Sequence, residues 1–267
     1  MTDNKYEQYL FEKELAKKLI NSNVEERHIA YKSLYGEFFK RFPNVSYNPQ
    51  SNIAHKIKWQ MKLLKPFLNK DVTFLEIGAG NCLLSLEVAQ NVKQVIAYEV
   101  ADAIQHIENK SNNLLLKIFD GIDFSEVNDS IDLIYSNQVF EHLHIDDTLY
   151  HVNQYYKMLK SDGRVVIVTP HSSTGPHDIS QDFSTMPEGL HMKEYTYREL
   201  RNILLTAGFK TVKGCIGHKR LGYFAINAKT FVILEEFYGL LPKKIRYKLK
   251  NNPILLNLLG IKIIALK

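Results

Sequence analysis

From Val72 onward, short runs of β-branched and aliphatic residues alternate with longer helical stretches, and this alternation restricts the fold more than any other feature. The β-rich runs are "VTFLEIG", "QVIAYEV", "NLLLKIFD", "IDLIYSNQ", "GRVVIVTP", "KTVKGCIG" and "IKIIALK". Between them, "IDDTLYHVNQYYKMLK" opens on acids and "YTYRELRNILLTAGF" carries a threonine near its start, both marks of a helix N-terminus. Strands alternating with helices predict a mainly parallel sheet with helices on both faces. Ahead of this core, residues 5–42 read as helical, because Tyr31, Leu34, Tyr35, Phe38 and Phe39 recur at helical spacing. A break at "FPNVSYNPQSN" separates them from a further helix, "HKIKWQMKLLKPFL", closed near Pro66. The predicted organisation is an N-terminal helical cap, residues 1–70, on an α/β core, residues 71–267. A segment of about forty residues before the last strand is too long for a hairpin loop and predicts a helical insertion.

Composition narrows the function classes. The 267 residues are 45% hydrophobic, enough for a sizeable core. The net charge of +5 is spread along the chain, with no basic and aromatic stripe, so a nucleic-acid partner is not expected. Cys82 and Cys215 lie too far apart for a disulfide framework or a zinc ribbon. The N-terminus mixes acids and bases where a signal peptide needs an apolar stretch, and no run approaches the ~18 apolar residues of a membrane span. A cytoplasmic protein is expected. The basic "PKKIRYKLK" beside the apolar "ILLNLL" reads first as a solvated helix face, with peripheral membrane contact as the weaker reading.

The run "FLEIGAGNC" is a strand breaking into a glycine turn. A dinucleotide fingerprint requires G-x-G-x-x-G, but Leu83 occupies the third glycine position after Gly78 and Gly80. Glu76 at the mouth would repel a pyrophosphate and suits instead a cofactor with a cationic amino group and a sulfonium. Glu99 ends the second strand about twenty residues on, where an acid accepts ribose hydroxyls. Asp120-Gly121 closes the third strand, in position for an adenine edge. Three acids at three consecutive strand ends point to one ligand crevice.

The segments "EIGAGNC", "IAYEV", "FDGIDF", "IDLIYSNQVFEHL" and "LKSDGRVVIVTPH" resemble the successive motifs of class I S-adenosylmethionine-dependent methyltransferases, most closely the small-molecule branch. The resemblance covers residues 71–209 and implies a Rossmann-like, seven-stranded, mostly parallel sheet whose last strand is antiparallel. It implies S-adenosyl-L-methionine as cofactor. Glu76, Gly78, Ala79, Gly80 and Asn81 would line its methionine end, with Cys82 standing where the family has a third loop glycine. Glu99 would bind the ribose and Val100 flank the adenine. Asp120 and Gly121 would contact the adenine amine and ring, and Asn137 and Gln138 would close over the sulfonium side.

Methyl transfer is an in-line displacement in which orientation supplies most of the gain, and a base is needed only for a poorly ionised acceptor. His142, just past the fourth strand in "VFEHL", is the first candidate for that role. The loop "TPHSSTGPHDISQDFSTMPEGLHMKEYT" gathers His171, His177, Asp178, Asp182 and His191 and reads as a substrate-binding lid. Its spacing matches no standard ligand motif, so no metal is expected. "PEGLHMKEYTYREL" resembles the region after the fifth strand of small-molecule methyltransferases, which makes His191 the second catalytic candidate. "SNQVF" stands where base-methylating enzymes carry an Asp/Asn-Pro-Pro-Tyr/Phe motif. The expected reaction is O-methylation of a small polar metabolite, a sugar or phosphorylated intermediate of surface-glycan or natural-product biosynthesis. The alternatives are N-methylation of a small amine and a non-enzymatic partner protein with the same fold.

Overall fold

The computed structural model describes residues 2–43, 53–100, 111–218 and 222–267. Among the described residues, three α-helices precede the sheet: α1 (Thr2–Ile20), α2 (Val24–Arg41) and α3 (Ile53–Leu64). The stretch read as one helical region over 5–42 is thus two helices. Asn23 interrupts it: its side chain accepts from the Glu26 N–H while Glu26 reaches back to the Asn23 N–H, a reciprocal cap that starts α2. From residue 44 to 52, the break read from the prolines and asparagines lies outside the described residues.

Eight strands follow: β1 (Thr73–Ile77), β2 (Gln94–Glu99), β3 (Leu114–Ile118), β4 (Ile131–Asn137), β5 (Leu159–Thr169), β6 (Thr211–His218), β7 (Gly222–Asn227) and β8 (Ile261–Leu266). Hydrogen bonds join them in the order β3-β2-β1-β4-β5-β8-β6-β7. Among the described residues, the α-helices between them are α4 (Leu83–Ala89), α5 (Ile145–Met158), α6 (Tyr197–Thr206), α7 (Ala228–Leu240), α8 (Lys243–Leu249) and α9 (Pro253–Leu259). The Rossmann-like fold is as expected, but the sheet has eight strands, not seven. The additional strand, β7, opens the segment read as purely helical and pairs antiparallel with β6 from Lys213↔Asn227 to His218↔Gly222. It is an edge strand with most of its residues exposed, so it lacks the continuous apolar run that marks a buried strand.

The chain divides into two compact units, residues 21–135 with 157–163, and residues 1–20 with 136–156 and 164–267. In the first, β1 pairs parallel with β2 and β2 with β3. Phe74, Leu75, Val95, Ala97 and Ile134 are fully buried, the uninterrupted burial of strands covered on both faces. In the second, β8 runs antiparallel to both β5 and β6. Here Val165, Ile167, Leu200, Phe231, Ile263 and Ala265 form the core. Among the described residues, no helix is long and apolar enough to cross a membrane.

Candidate active site

The glycine turn lies in the first unit, at the C-terminal end of β1. Gly78 and Gly80 adopt φ of 71° and 54°, the left-handed region that glycine occupies without penalty. The turn doubles the chain back so that the N–H groups of Gly78 and Ala79 both reach the Tyr98 carbonyl, at 2.9 and 3.0 Å. These two donors therefore prolong the pairing of β1 with β2 and are not left for a ligand. Cys82 is left-handed as well, at φ 55°, which costs a non-glycine residue about 1–2 kcal/mol. It is fully buried against Ala79, Ala97, Leu114 and Leu116, so the thiol fills space that a glycine would leave open.

Glu99 ends β2 and organises the turn from the side. One carboxylate oxygen accepts the Gly80 N–H at 2.6 Å and the other the Val100 N–H at 2.8 Å. Gly80 and Asn81 are exposed, and Glu99 and Val100 half-buried. Asp120 accepts the N–H groups of Ile122 and Asp123 through one oxygen and holds His28 Nδ1 of α2 at 2.8 Å through the other. Its own burial opposes ionisation, but the His28 and backbone hydrogen bonds prevail and lower its pKa. At the neighbouring Gly121, φ 91°, a Cβ would come within 2.9 Å of the Tyr31 ring. Helix α2 thus packs directly on the loop assigned to adenine. Sequence reading placed Tyr31 in an aromatic helix but did not connect either it or His28 with the Asp120 loop.

These residues fit S-adenosylmethionine. A Cβ at Gly80 would meet nothing within 4 Å, so a ligand can approach the backbone there. A carboxylate oxygen can accept more than one hydrogen bond, so the Gly80 and Val100 N–H groups do not by themselves close Glu99 to a ligand. Glu76 is almost fully buried at the C-terminal end of β1, accepting a hydrogen bond from Ser85. Burial pushes its pKa up to about 8; the Ser85 bond opposes this, and the charge of Glu99 adds to it. At pH 7 it is therefore mostly protonated. An ammonium group beside it favours the carboxylate, so cofactor binding is expected to expel close to one proton at pH 7. The bound state then holds fewer protons, and affinity rises as pH rises toward about 8, the pKa of Glu76 in the free protein. Calorimetry in two buffers of different ionisation enthalpy measures this; a binding heat independent of buffer rules the proton release out.

The second unit carries the histidines. A short 3-10 turn, Phe140–His142, follows β4, entered through Asn137, which is half-buried, and Gln138, which is exposed. Gln138 holds a left-handed φ of 56° and donates its N–H to the Val168 carbonyl. Such a strained non-glycine residue persists only where its surroundings enforce it. His142 Nδ1 lies 2.8 Å from the Leu190 carbonyl, and its ring meets that of His191 edge-on with centroids 4.9 Å apart. His191 Nδ1 is 2.9 Å from Glu194 Oε1. Fully buried Glu141 accepts from Thr169 through Oε2, while Oε1 has no hydrogen-bond partner.

Burial, reinforced by the neighbouring charge of His191, pushes the His142 pKa down to about 3. Burial also acts downward on His191, but Glu194, Glu141 and Asp178 outweigh it and raise its pKa. The Glu141 carboxyl is pushed up to about 7, chiefly by burial. Gly175 makes room for this arrangement, since a Cβ there would lie 1.9 Å from Glu194 Oε2.

Of the residues singled out from sequence, the His142 and His191 rings come together, His177 adjoins them by donating its N–H to Glu194 Oε1 at 2.6 Å, and the side chains of the rest are engaged elsewhere. His171 Nε2 is bound by Glu235, whose carboxylate also accepts the first N–H groups of α6 from Tyr197 and Arg198, and His171 Nδ1 takes the Ser173 N–H. Asp178 ties the loop together through Ser180 and Gly189, and Asp182 pairs with Lys5. His177 sits with its Nε2 2.9 Å from Thr174 Oγ1. Helix α1 holds the same loop: Tyr9 and Lys13 bind Glu188, Phe183 stacks on Tyr9, and buried Glu12 accepts the Leu190 N–H. Sequence reading missed Glu141 and Glu194, although Glu141 adjoins His142 and Glu194 lies three residues past His191.

The sequence matches a methyltransferase-domain family over residues 50–213, more than half of the chain. No curated protein matches it. Among solved structures it is similar to Haemonchus contortus phosphoethanolamine N-methyltransferase 1, which was solved with phosphoethanolamine and S-adenosylhomocysteine. The identity is 15% and the TM-score 0.59, over 92% of this chain and 50% of that one. An S-adenosylmethionine-dependent methyltransferase from Archaeoglobus fulgidus aligns over 87% of this chain and 99% of its own, with 19% identity and a TM-score of 0.55. A chain of the Haloferax volcanii complex between the Trm112 methyltransferase activator and a methyltransferase aligns at 13% identity and a TM-score of 0.57, over 80% of this chain and 91% of its own. At such identities the likeness is one of fold, and it is the family match that shows what kind of enzyme the chain is. The chain belongs to the methyltransferase-domain family and is an S-adenosylmethionine-dependent methyltransferase.

Proposed function

We propose that the enzyme methylates a hydroxyl group on a small polar metabolite, a sugar or phosphorylated sugar-like compound. The observation that carries this reading is the cluster of Glu141, His142 and His191, drawn from two loops and containing a buried carboxylate oxygen without a partner. Buried polar groups left unsatisfied are costly, and a polar ligand offering a hydroxyl relieves that cost. An apolar acceptor would add to it.

S-adenosylmethionine, when bound, supplies the electrophilic methyl group. Glu76 and Glu99 anchor the ends of that ligand in this reading, and Gly80 admits it close to the backbone. His142 and His191 face the acceptor and fix its oxygen for in-line attack, since each ring is locked by a hydrogen bond through Nδ1. Glu194 and the Leu190 carbonyl are what set those ring orientations.

Incubating the enzyme with methyl-labelled donor and a panel of sugars, sugar phosphates and small amines tests the proposal. Label recovered as an alkali-stable methyl ether supports it. Label confined to amines, including phosphoethanolamine, overturns it in favour of N-methylation.

A further inference from the structure

We propose that Glu141, His142 and His191 form a binding site for a divalent first-row transition cation of zinc type, which holds the acceptor hydroxyl. One ligand atom from each residue lies within 4.8 Å of the others. Ligands about 2.1 Å from a shared cation stand roughly 3–4 Å apart, a spacing these three atoms reach with at most small side-chain shifts. Two imidazoles and one carboxylate are a donor set suited to zinc, manganese, iron or cobalt, and unlike the all-oxygen sets of magnesium and calcium.

The neighbouring contacts are those a ligand set requires. His191 is oriented through Nδ1 by the Glu194 carboxylate and His142 through Nδ1 by the Leu190 carbonyl, which makes Nε2 the ligating nitrogen of each ring. Glu141 is oriented by Thr169 through Oε2, and its Oε1 is a fully buried carboxylate oxygen with no hydrogen-bond partner. That oxygen is the independent sign of a ligand, because burying a carboxylate without a cation or donor is strongly unfavourable. A second cluster, His28 with Asp120 and Asp123, is partly exposed, and both Asp120 oxygens already accept hydrogen bonds or face His28.

The chemical use of the cation rests on the hydroxyl-acceptor reading; its binding does not. A hydroxyl held on a divalent cation loses its proton more readily. The O–H bond breaks with its proton passing to water, the oxygen lone pair forms the new O–CH3 bond, and the sulfonium S–CH3 bond breaks with its electron pair remaining on sulfur.

The test is titration of the full-length, chelator-stripped protein with zinc by calorimetry, and with cobalt(II) by visible absorption. One ion per chain and a cobalt d–d band are expected. E141Q and H191N should each weaken zinc at least about tenfold, while H28N should leave it unchanged. No zinc heat and no cobalt band in the wild-type protein overturns the proposal, as does binding that survives E141Q and H191N but is lost in H28N. Methyl transfer read in parallel separates the two ideas. Zinc bound at this cluster with label going only to amines keeps the site and removes the hydroxyl reading. Label on a hydroxyl acceptor without any bound cation keeps the hydroxyl reading and removes the site.

Discussion

His142→Ala and His191→Ala are each expected to lower turnover on a hydroxyl acceptor by about 10²- to 10⁴-fold, the range lost when a positioned proton-handling or electrophilic group is removed. Affinity for S-adenosylmethionine should stay within about twofold, because each ring is held by the segment 190–194 and not by the glycine turn. Steady-state kinetics with calorimetry on the same preparations separates the two quantities. Both substitutions remove a ring from a tight edge-on pair and leave a backbone or side-chain acceptor without its donor, so thermal stability should drop modestly as well. A variant that folds, binds the cofactor and retains full turnover on the true acceptor would reduce the cluster to a structural device of the loop. Equal loss of turnover and cofactor affinity would have the same meaning.

The parallel half of the fold was readable because its signals are local and repeated. β1 and β2 are short apolar runs ended by Gly78 and Glu99, and burial on both faces demands that pattern. β7 escaped because an edge strand partnered only by β6 needs no such run, and because Tyr223, Phe224 and Ile226 in "GYFAIN" sit beside a helix. The separation of α1 from α2 was present in the sequence as "NVEE", asparagine followed by glutamate three residues on, but the stronger aromatic periodicity of residues 31–39 masked it.

The residues proposed for the donor side stand out in the sequence for the same reason as the strands: they fall at strand ends in chain order. Their partners were not. That Glu99 binds Gly80, or that α2 presses His28 and Tyr31 onto Asp120-Gly121, depends on packing between elements far apart in sequence. The histidine loop shows the limit most clearly. Sequence singles out His191 only through a family resemblance, and only tertiary structure commits His171 to Glu235 while bringing His191 against His142. A ligand set made of two adjacent residues and a third on another loop has no spacing motif to reveal it. The expectation that no metal is bound followed from that missing motif, and the geometry of Glu141, His142 and His191 is the reason to put it to test.

Glu99→Ala should weaken S-adenosylmethionine binding by about 10- to 150-fold, corresponding to the roughly 1.5–3 kcal/mol of hydrogen bonds to a charged acceptor. The loss has two sources. In the proposed placement the ribose hydroxyls forfeit their carboxylate, and the N–H groups of Gly80 and Val100 forfeit the acceptor that shapes the turn. Glu99→Gln keeps one acceptor oxygen but turns an NH2 donor toward a backbone N–H, so its affinity should fall between those of the wild type and the alanine variant. A second readout ties the effect to this position. The charge of Glu99 is one of the causes that hold Glu76 protonated, after burial, so its removal makes Glu76 easier to ionise in the free enzyme. Fewer protons are then expelled at pH 7 when the cofactor binds the alanine variant. Calorimetry in paired buffers reads affinity and proton release in one experiment. Unchanged affinity would show that Glu99 serves the turn alone. Lowered affinity with undiminished proton release would show that the two carboxylates are not coupled through the cofactor site.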